Sequence, residues 1–351
     1  MRKFVQLLLG AGCLLMASSV SAQNNTDSVS LNGQYQVIPV AIPFLRMNQD
    51  IRSAGIGESG VALPGSNITH YANPARMLQV ENKSAVALAY TPWMSNLAKN
   101  ISLYSASGYY KFSSVDVFSA GLRYFKQGKL QLTDEYGQNM GESSPYDLAV
   151  DLSYARKITD RLHLGASFRY INSHIISSGY DGYKNGNAVA ADLGLYYASK
   201  INAKGQSLHL GAALTNIGSK VKYGAAFSSY QLPANLAVGA AFKQKMQEVH
   251  QLIFSAELNK LLVASSGNKQ NLGNTIQYNF GGEYAYHEIL AIRAGYSYAS
   301  RQVGGLQYLT MGLGVKYKIC RFDVAYLIPS GRSTASTISN TFKLGLGFII
   351  Q

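Results

Sequence analysis

Period-two alternation, apolar on one parity and polar or small on the other, recurs along this chain in stretches of about ten residues. No run approaches the ~18 consecutive apolar residues of a membrane-spanning helix. Leu162, Leu164, Ala166, Phe168 and Tyr170 alternate with Arg161, His163, Gly165, Ser167 and Arg169. Leu290, Ile292, Ala294, Tyr296 and Tyr298 alternate with Ala291, Arg293, Gly295 and Ser297, and Phe322, Val324, Tyr326 and Ile328 with Arg321, Asp323, Ala325 and Leu327. Similar runs begin near Ser84, Ser102, Val115, Tyr146, Ala188, Gln206, Asn235, Glu248, Ile276, Gln307 and Ser339, which brings the total to fourteen. Successive side chains of a strand point to opposite faces, so each run predicts a strand with one apolar face. An even number of such strands is what bacterial membrane barrels use.

A soluble β-sandwich also alternates, and the connections separate the two folds. Those at about 92–101, 126–145, 174–187, 216–234, 259–275, 299–306 and 329–338 are long, and those between them are short turns. Long loops at one end and tight turns at the other are the outer-membrane barrel pattern. The final run, Phe342, Leu344, Leu346, Phe348 and Ile350, lets the last strand pair with the first and leave no open edge. Aromatic residues near strand ends, Tyr90, Trp93, Tyr109, Tyr110, Tyr124, Tyr146, Tyr197, Tyr286 and Tyr317, suit interfacial girdles, although strand propensity alone also accounts for any one of them.

Composition agrees. The 31 basic and 18 acidic residues make up 14% of the chain, well below the ~25% of a typical soluble protein. Tyr (25) and Gly (34) are abundant, Pro (8) is scarce, and the 47% apolar content excludes intrinsic disorder. Two cysteines, Cys13 and Cys320, are too few for a disulfide scaffold. Arg2 and Lys3 precede an apolar run from Phe4 to Met16, and Val20-Ser21-Ala22 offers a cleavage site, so residues 1–22 read as a secretory signal peptide. A lipoprotein signal at Cys13 is the rival, but Gly10 stands where Leu is expected. The expected fold is all-β, a 14-stranded antiparallel transmembrane β-barrel over residues 84–351. It lies in the outer membrane, with long loops extracellular and both termini periplasmic. Residues 23–83 have few alternating runs but carry Gly55, Gly57, Gly60, Pro64, Gly65 and Pro74, and are expected to form a hatch or plug.

That segment carries recognisable words. Asp50, Arg52, Ser53, Gly55 and Gly57 in Asp50-Ile51-Arg52-Ser53-Ala54-Gly55-Ile56-Gly57, with Asn73-Pro74-Ala75, resemble the hatch of FadL-like fatty-acid-transporter barrels. Ile42-Pro43-Phe44-Leu45, Tyr90-Thr91-Pro92-Trp93, Ser107-Gly108-Tyr109-Tyr110, Leu122-Arg123-Tyr124-Phe125, Thr215-Asn216-Ile217-Gly218 and Leu232-Pro233-Ala234-Asn235-Leu236 sharpen this to a resemblance to the PorV family, outer-membrane barrels of the type IX secretion system of the Bacteroidota. One departure is the end, where Ile349, Ile350 and Gln351 stand in place of a terminal aromatic. The resemblance implies a non-enzymatic shuttle. It would accept secreted cargo bearing a C-terminal signal domain from the large translocon barrel and deliver it to a surface sortase. A FadL-like channel for hydrophobic small molecules is the alternative, and a lipid hydrolase a third.

The residues offer little to an enzyme. Gly295-Tyr296-Ser297-Tyr298-Ala299 is the nearest approach to G-x-S-x-G, but it ends in Ala and lies within a strand. His163 and His174 share a strand but stand roughly 35 Å apart when extended. No metal motif, phosphate loop or cofactor signature occurs, and the dispersed basic residues carry no nucleic-acid-binding run. On the lumen parity, Arg123, Asp151, Arg169, Asp192, Glu257, Glu283, Arg293, Lys316, Arg321 and Asp323 mix both signs, which predicts salt-bridged filling or contact with the hatch rather than a selective pore. Lys126, Lys129, Lys220, Lys222, Lys260, Lys269, Arg301 and Arg332, on the long loops, are candidates for lipopolysaccharide phosphates or an acidic partner, although a solvated loop charge also accounts for each. Tyr136, Tyr146, Tyr180, Tyr183, Tyr223, Phe227 and Tyr230, in or beside the same loops, are candidate cargo anchors because aromatic side chains bury large area at low entropic cost.

Overall fold

Alternating runs of β-branched and aromatic residues bounded by Gly, Asn, Ser and Pro become strands that pair with their neighbours in sequence. The computed structural model describes residues 40–65, 70–80, 82–94, 100–134, 136–176, 182–225, 227–262, 276–300, 305–330 and 341–350. In order, the strands are β1 (Ser84–Pro92), β2 (Ile101–Lys111), β3 (Asp116–Gln127), β4 (Leu130–Thr133), β5 (Asn139–Ser143), β6 (Tyr146–Lys157), β7 (Leu162–His174) and β8 (Gly186–Ala198). They continue with β9 (Gln206–Gly218), β10 (Asn235–Met246), β11 (His250–Leu261), β12 (Ile276–Tyr286), β13 (Leu290–Ala299), β14 (Gln307–Tyr317), β15 (Cys320–Pro329) and β16 (Thr341–Ile350). All except β4 and β5 form one closed antiparallel barrel of fourteen strands. β16 closes it on β1, from Ser84 opposite Ile350 to Tyr90 opposite Leu344.

The barrel is apolar outside and polar inside. Along β8 the exposed Val189, Leu193 and Leu195 alternate with the buried Ala190 and Asp192. This arrangement suits a hydrocarbon surround, where only a closed sheet satisfies every backbone group. The connections keep the alternation of the sequence: short at 112–115, 158–161, 247–249, 287–289 and 318–319, long at 128–145 and 219–234.

Three details depart from the sequence reading. The long connection after β3 contains the separate hairpin β4–β5, whose runs of four and five residues are too short to register as membrane strands. Tyr109 and Trp93 are not girdle residues. Tyr109 faces inward and packs with Met77 and Val117, and Trp93 packs against Tyr308 and Leu327. Parity decides this for Tyr109, since its neighbour Tyr110 takes the outward side. In β9 a bulge opposite Asp192 puts Asn216 at φ 59, a left-handed conformation that Asn tolerates better than most residues.

Residues 40–65 and 70–80 wind along the inner wall. They begin at the long-loop end, where the Ala41 N–H donates to the Gln231 carbonyl. They reach the short-turn end at Val80, which packs with Ala85 and Ala155. Among the described residues only short helical turns form on the way, Pro43–Arg46, Ile51–Ala54 and Pro74–Gln79. The segment touches the wall where the wall has no side chain. A Cβ on Gly165 would lie 2.5 Å from the Ala75 nitrogen, one on Gly211 2.2 Å from the Val61 carbonyl, and one on Gly295 2.1 Å from the Gly57 nitrogen.

Candidate functional site

The hatch words are turn chemistry followed by docking chemistry. Asp50 caps the turn Ile51–Ala54, its side chain accepting from the Arg52 N–H, and Ser53 Oγ donates back to the Asp50 carbonyl at 3.0 Å. Asn73 caps Pro74–Gln79 in the same way, with Pro74 at the first position where its missing N–H costs nothing. The other end of the Asn73 amide reaches outward, donating to the Val61 and Leu195 carbonyls at 3.0 Å each. Gly57, at φ +67, turns its N–H onto Thr310 Oγ1 at 2.8 Å, and Gly55 passes within contact distance of Gly312.

Charge then locks the segment to the wall. Arg52 donates two hydrogen bonds to Glu283, at 2.8 and 2.9 Å, and Glu283 also accepts one from Arg293 at 2.7 Å. Arg293 continues to Asp323 at 2.7 Å, and Asp323 to Arg321 at 2.6 Å. One Glu257 oxygen accepts the backbone N–H groups of Gly60 and Val61 at 2.6 and 2.7 Å, and Glu58 pairs with Lys343 at 2.9 Å. A second chain of alternating sign joins Arg123, Asp151, Arg169 and Asp192. Arg123 meets Asp151 at 3.1 Å, Arg169 bridges Asp151 to Asp192, and Arg123 covers the Tyr71 ring at 4.7 Å. The inward charges thus pair with one another and also contact the described residues of 40–80. Lys316 stands apart, taken up by neither chain of pairs.

His70 sits within this second network, its Nδ1 sharing a hydrogen bond of 3.1 Å with Ser119. Burial pushes its pKa down to about 4, assisted by Arg123 and Arg169 and opposed by Asp151. Burial likewise raises the Tyr71 hydroxyl. The neutral imidazole is the form this site holds near neutral pH.

Sequence reasoning passed over Arg76, which is completely buried. Its guanidinium donates to the Leu63 carbonyl at 2.6 Å and to that of Gly60, and stands 3.6 Å from Asp50. It also passed over a row of inward amides. Asn235 donates to Asn259 at 3.0 Å, and Gln277 and Ser297 are joined to Asn279. Parity could have indicated the row, but not that it faces a cavity. Those amides, with Trp93, Tyr308 and Asn48, line a cavity of about 310 Å³ on the long-loop side of residues 40–80. A separate cavity of about 350 Å³ lies on the short-turn side.

The loop aromatics divide. Tyr183, Tyr223 and Phe227 come together: Tyr183 stacks on Tyr223 at 6.0 Å and meets Phe227 edge-on, while the Tyr223 hydroxyl bonds Ser173 at 2.9 Å. Tyr230 is joined to this loop by its bridge to Val221, and its ring and that of Phe227 are both 43% exposed. Tyr136 stands alone and 81% exposed on the β4–β5 hairpin. Tyr146 faces outward on β6, between Tyr124 and His174. Tyr180, Lys269, Arg301 and Arg332 lie outside the described residues, and Lys129 is paired with Glu142 at 2.8 Å. His163 faces inward beside Gln79, remote from His174 on the outer face. Ser297 bonds the Gln277 and Asn279 side chains, and among the described residues no group of three or more His, Cys, Asp or Glu is placed to hold a metal ion.

A family model described as type IX secretion system protein PorV matches residues 30–268. The fold is similar to that of the toluene transporter TodX of Pseudomonas putida, at TM-score 0.53 and 14% identity over 84% of this chain and 95% of that one. A TodX deletion mutant, described as a monoaromatic hydrocarbon channel, gives TM-score 0.54 at 14% identity, over 85% of this chain and 96% of the other. A Pseudomonas aeruginosa FadL homologue gives 0.49 at 10% identity, over 90% of this chain and all of that one. At such identities the likeness is one of fold. No curated protein matches the chain.

Proposed function

This chain belongs to the PorV family of type IX secretion system proteins, and from that premise we propose that it is a docking shuttle for secreted cargo. It is an outer-membrane β-barrel component of that system. In our reading it receives cargo with a C-terminal signal domain from the translocon barrel at its long-loop face. It then presents that cargo to the surface sortase, itself making and breaking no covalent bond. Long loops face the exterior, and residues 23–83 act as a hatch.

The observation that carries this reading, beyond family membership, is the occupied lumen. Residues 40–80 are held to opposite parts of the wall by Glu283, Glu257, Lys343 and the Leu195 carbonyl. For the segment to move as a plug, the Arg52–Glu283 and Glu58–Lys343 pairs and the bonds to Glu257 would have to break together. A barrel so filled is suited to carrying partners on its loops rather than solutes through its centre. Phe227 and Tyr230 are the exposed aromatics best placed for such contact, since Tyr183 and Tyr223 are spent on each other.

A second reading, a channel for hydrophobic small molecules, draws on the fold shared with the toluene transporter. The cavity at the long-loop end mixes amides with apolar side chains such as Leu45, Met47, Trp93 and Leu327, and so favours neither reading. Affinity purification of the tagged protein from native outer membranes separates the two. Cargo with C-terminal signal domains, a sortase or a giant barrel should accompany it, and Phe227→Ala with Tyr230→Ala should reduce their recovery. Recovery of the barrel with a bound lipid or hydrocarbon and no protein partner would overturn the shuttle reading.

A further inference from the structure

We propose that the cavity at the short-turn end of the barrel binds a small dianion of the phosphate class. Five cationic side chains line it, Arg52, Lys243, Arg293, Lys316 and Arg321, against two carboxylates, Glu283 and Glu288. Asp323 stands behind them, and the three carboxylates face the four cations other than Lys243, which leaves an excess of one positive charge. The pairing makes the excess local. Glu283 and Asp323 are shared among three guanidiniums, those of Arg52, Arg293 and Arg321.

Arg293 Nη2 is buried without a hydrogen-bond partner, but its side chain has no exposure, so it adds positive charge behind the lining and not a contact. Lys316 lies directly opposite Arg321 in the β14–β15 ladder, and among the described residues no hydrogen bond or ion pair holds its ammonium. Like charges directly opposite on one sheet face are destabilising. Water would solvate the ammonium without cancelling the charge. A phosphate dianion does both, offering acceptor oxygens to Arg321 and Lys316 at once. The volume, about 350 Å³, lies at the small end of ligand pockets. Because the site is inside the barrel wall, its ligand is a solute reaching it from the short-turn end rather than a headgroup in the bilayer plane. Arg52 belongs to residues 40–80, so the bound anion would also tie that segment to β13–β15.

The test is isothermal titration of the purified, detergent-solubilised full chain with inorganic phosphate in phosphate-free, low-salt buffer. Saturable binding of one phosphate per barrel is expected. Lys316→Gln should weaken it by at least about tenfold while leaving the heat-modifiable barrel intact, since that ammonium supports no other residue. Arg321→Gln should weaken it similarly, and Lys129→Gln, on the distant hairpin, should change nothing. Absence of saturable binding up to ~10 mM phosphate, or equal affinity in Lys316→Gln and the unmodified protein, would overturn the proposal.

Discussion

Gly295→Ala should undock part of residues 40–80 without opening the barrel. Gly295 lies inward on β13 between Arg293 and Ser297, and its φ is not in the left-handed region, so the strand itself accepts alanine. The new Cβ would stand 2.1 Å from the Gly57 nitrogen, 2.5 Å from the Ile56 carbonyl carbon and 2.6 Å from the Gly57 Cα. All three are backbone atoms that cannot rotate away, so the chain must retreat by roughly 1 Å to regain ordinary contact. That retreat strains two bonds that seat the turn, Gly57 N–H to Thr310 Oγ1 at 2.8 Å and Thr310 Oγ1 to the Gly55 carbonyl at 3.0 Å. Overpacking of this kind costs about 1–3 kcal/mol, which is a ~5–150-fold rise in the local opening constant. Hydrogen exchange reads it directly, as faster exchange of amides 51–63 with the strand amides unchanged. Gly282→Ala is the control, because that glycine is on the outward side of β12 and its Cβ would meet nothing closer than 3.4 Å. If Gly295→Ala exchanges at the same rate as Gly282→Ala over 51–63, the docking of this segment on wall glycines is refuted.

Three further outcomes follow from the same geometry. Glu257→Gln can satisfy either the Gly60 and Val61 N–H groups or the Asn259 amide, but not both, and should destabilise the docked segment by about 1–3 kcal/mol, read as faster exchange over 58–63. His70 has a docked pKa of about 4 against an ordinary 6.5, so between those values the undocked state binds more protons. Its contribution is complete above about pH 6.5 and is lost as pH falls toward 4, by up to about 3 kcal/mol. His70→Asn should flatten the pH dependence of proteolysis across 40–80 over that window; an unchanged profile would count against His70 as its source. Phe227→Ala combined with Tyr230→Ala should lower cargo recovery several-fold at unchanged barrel yield, whereas Tyr223→Phe, which keeps the stacked ring, should leave recovery near normal in the same pull-down.

Much of this protein was legible without coordinates, because the governing interactions are short in sequence. Period-two alternation is a property of neighbouring residues, and a strand's inward and outward faces follow from it directly. Loop lengths announce which ends lie together, so the strand number, the β1–β16 closure and the inward placement of Arg169, Glu283 and Asp323 could all be read in order. The Asp50 and Asn73 caps belong to the same class, since each acts within three residues. Tertiary structure alone decided how these pieces meet. Arg52 finds Glu283 across 231 positions and Gly60 finds Glu257 across 197, and no periodicity relates residues so far apart. Why Gly165, Gly211 and Gly295 bear no side chain is likewise invisible along the strand, where a glycine only weakens pairing. The reason is a second stretch of backbone lying against each one, and the closed wall determines where that stretch can go.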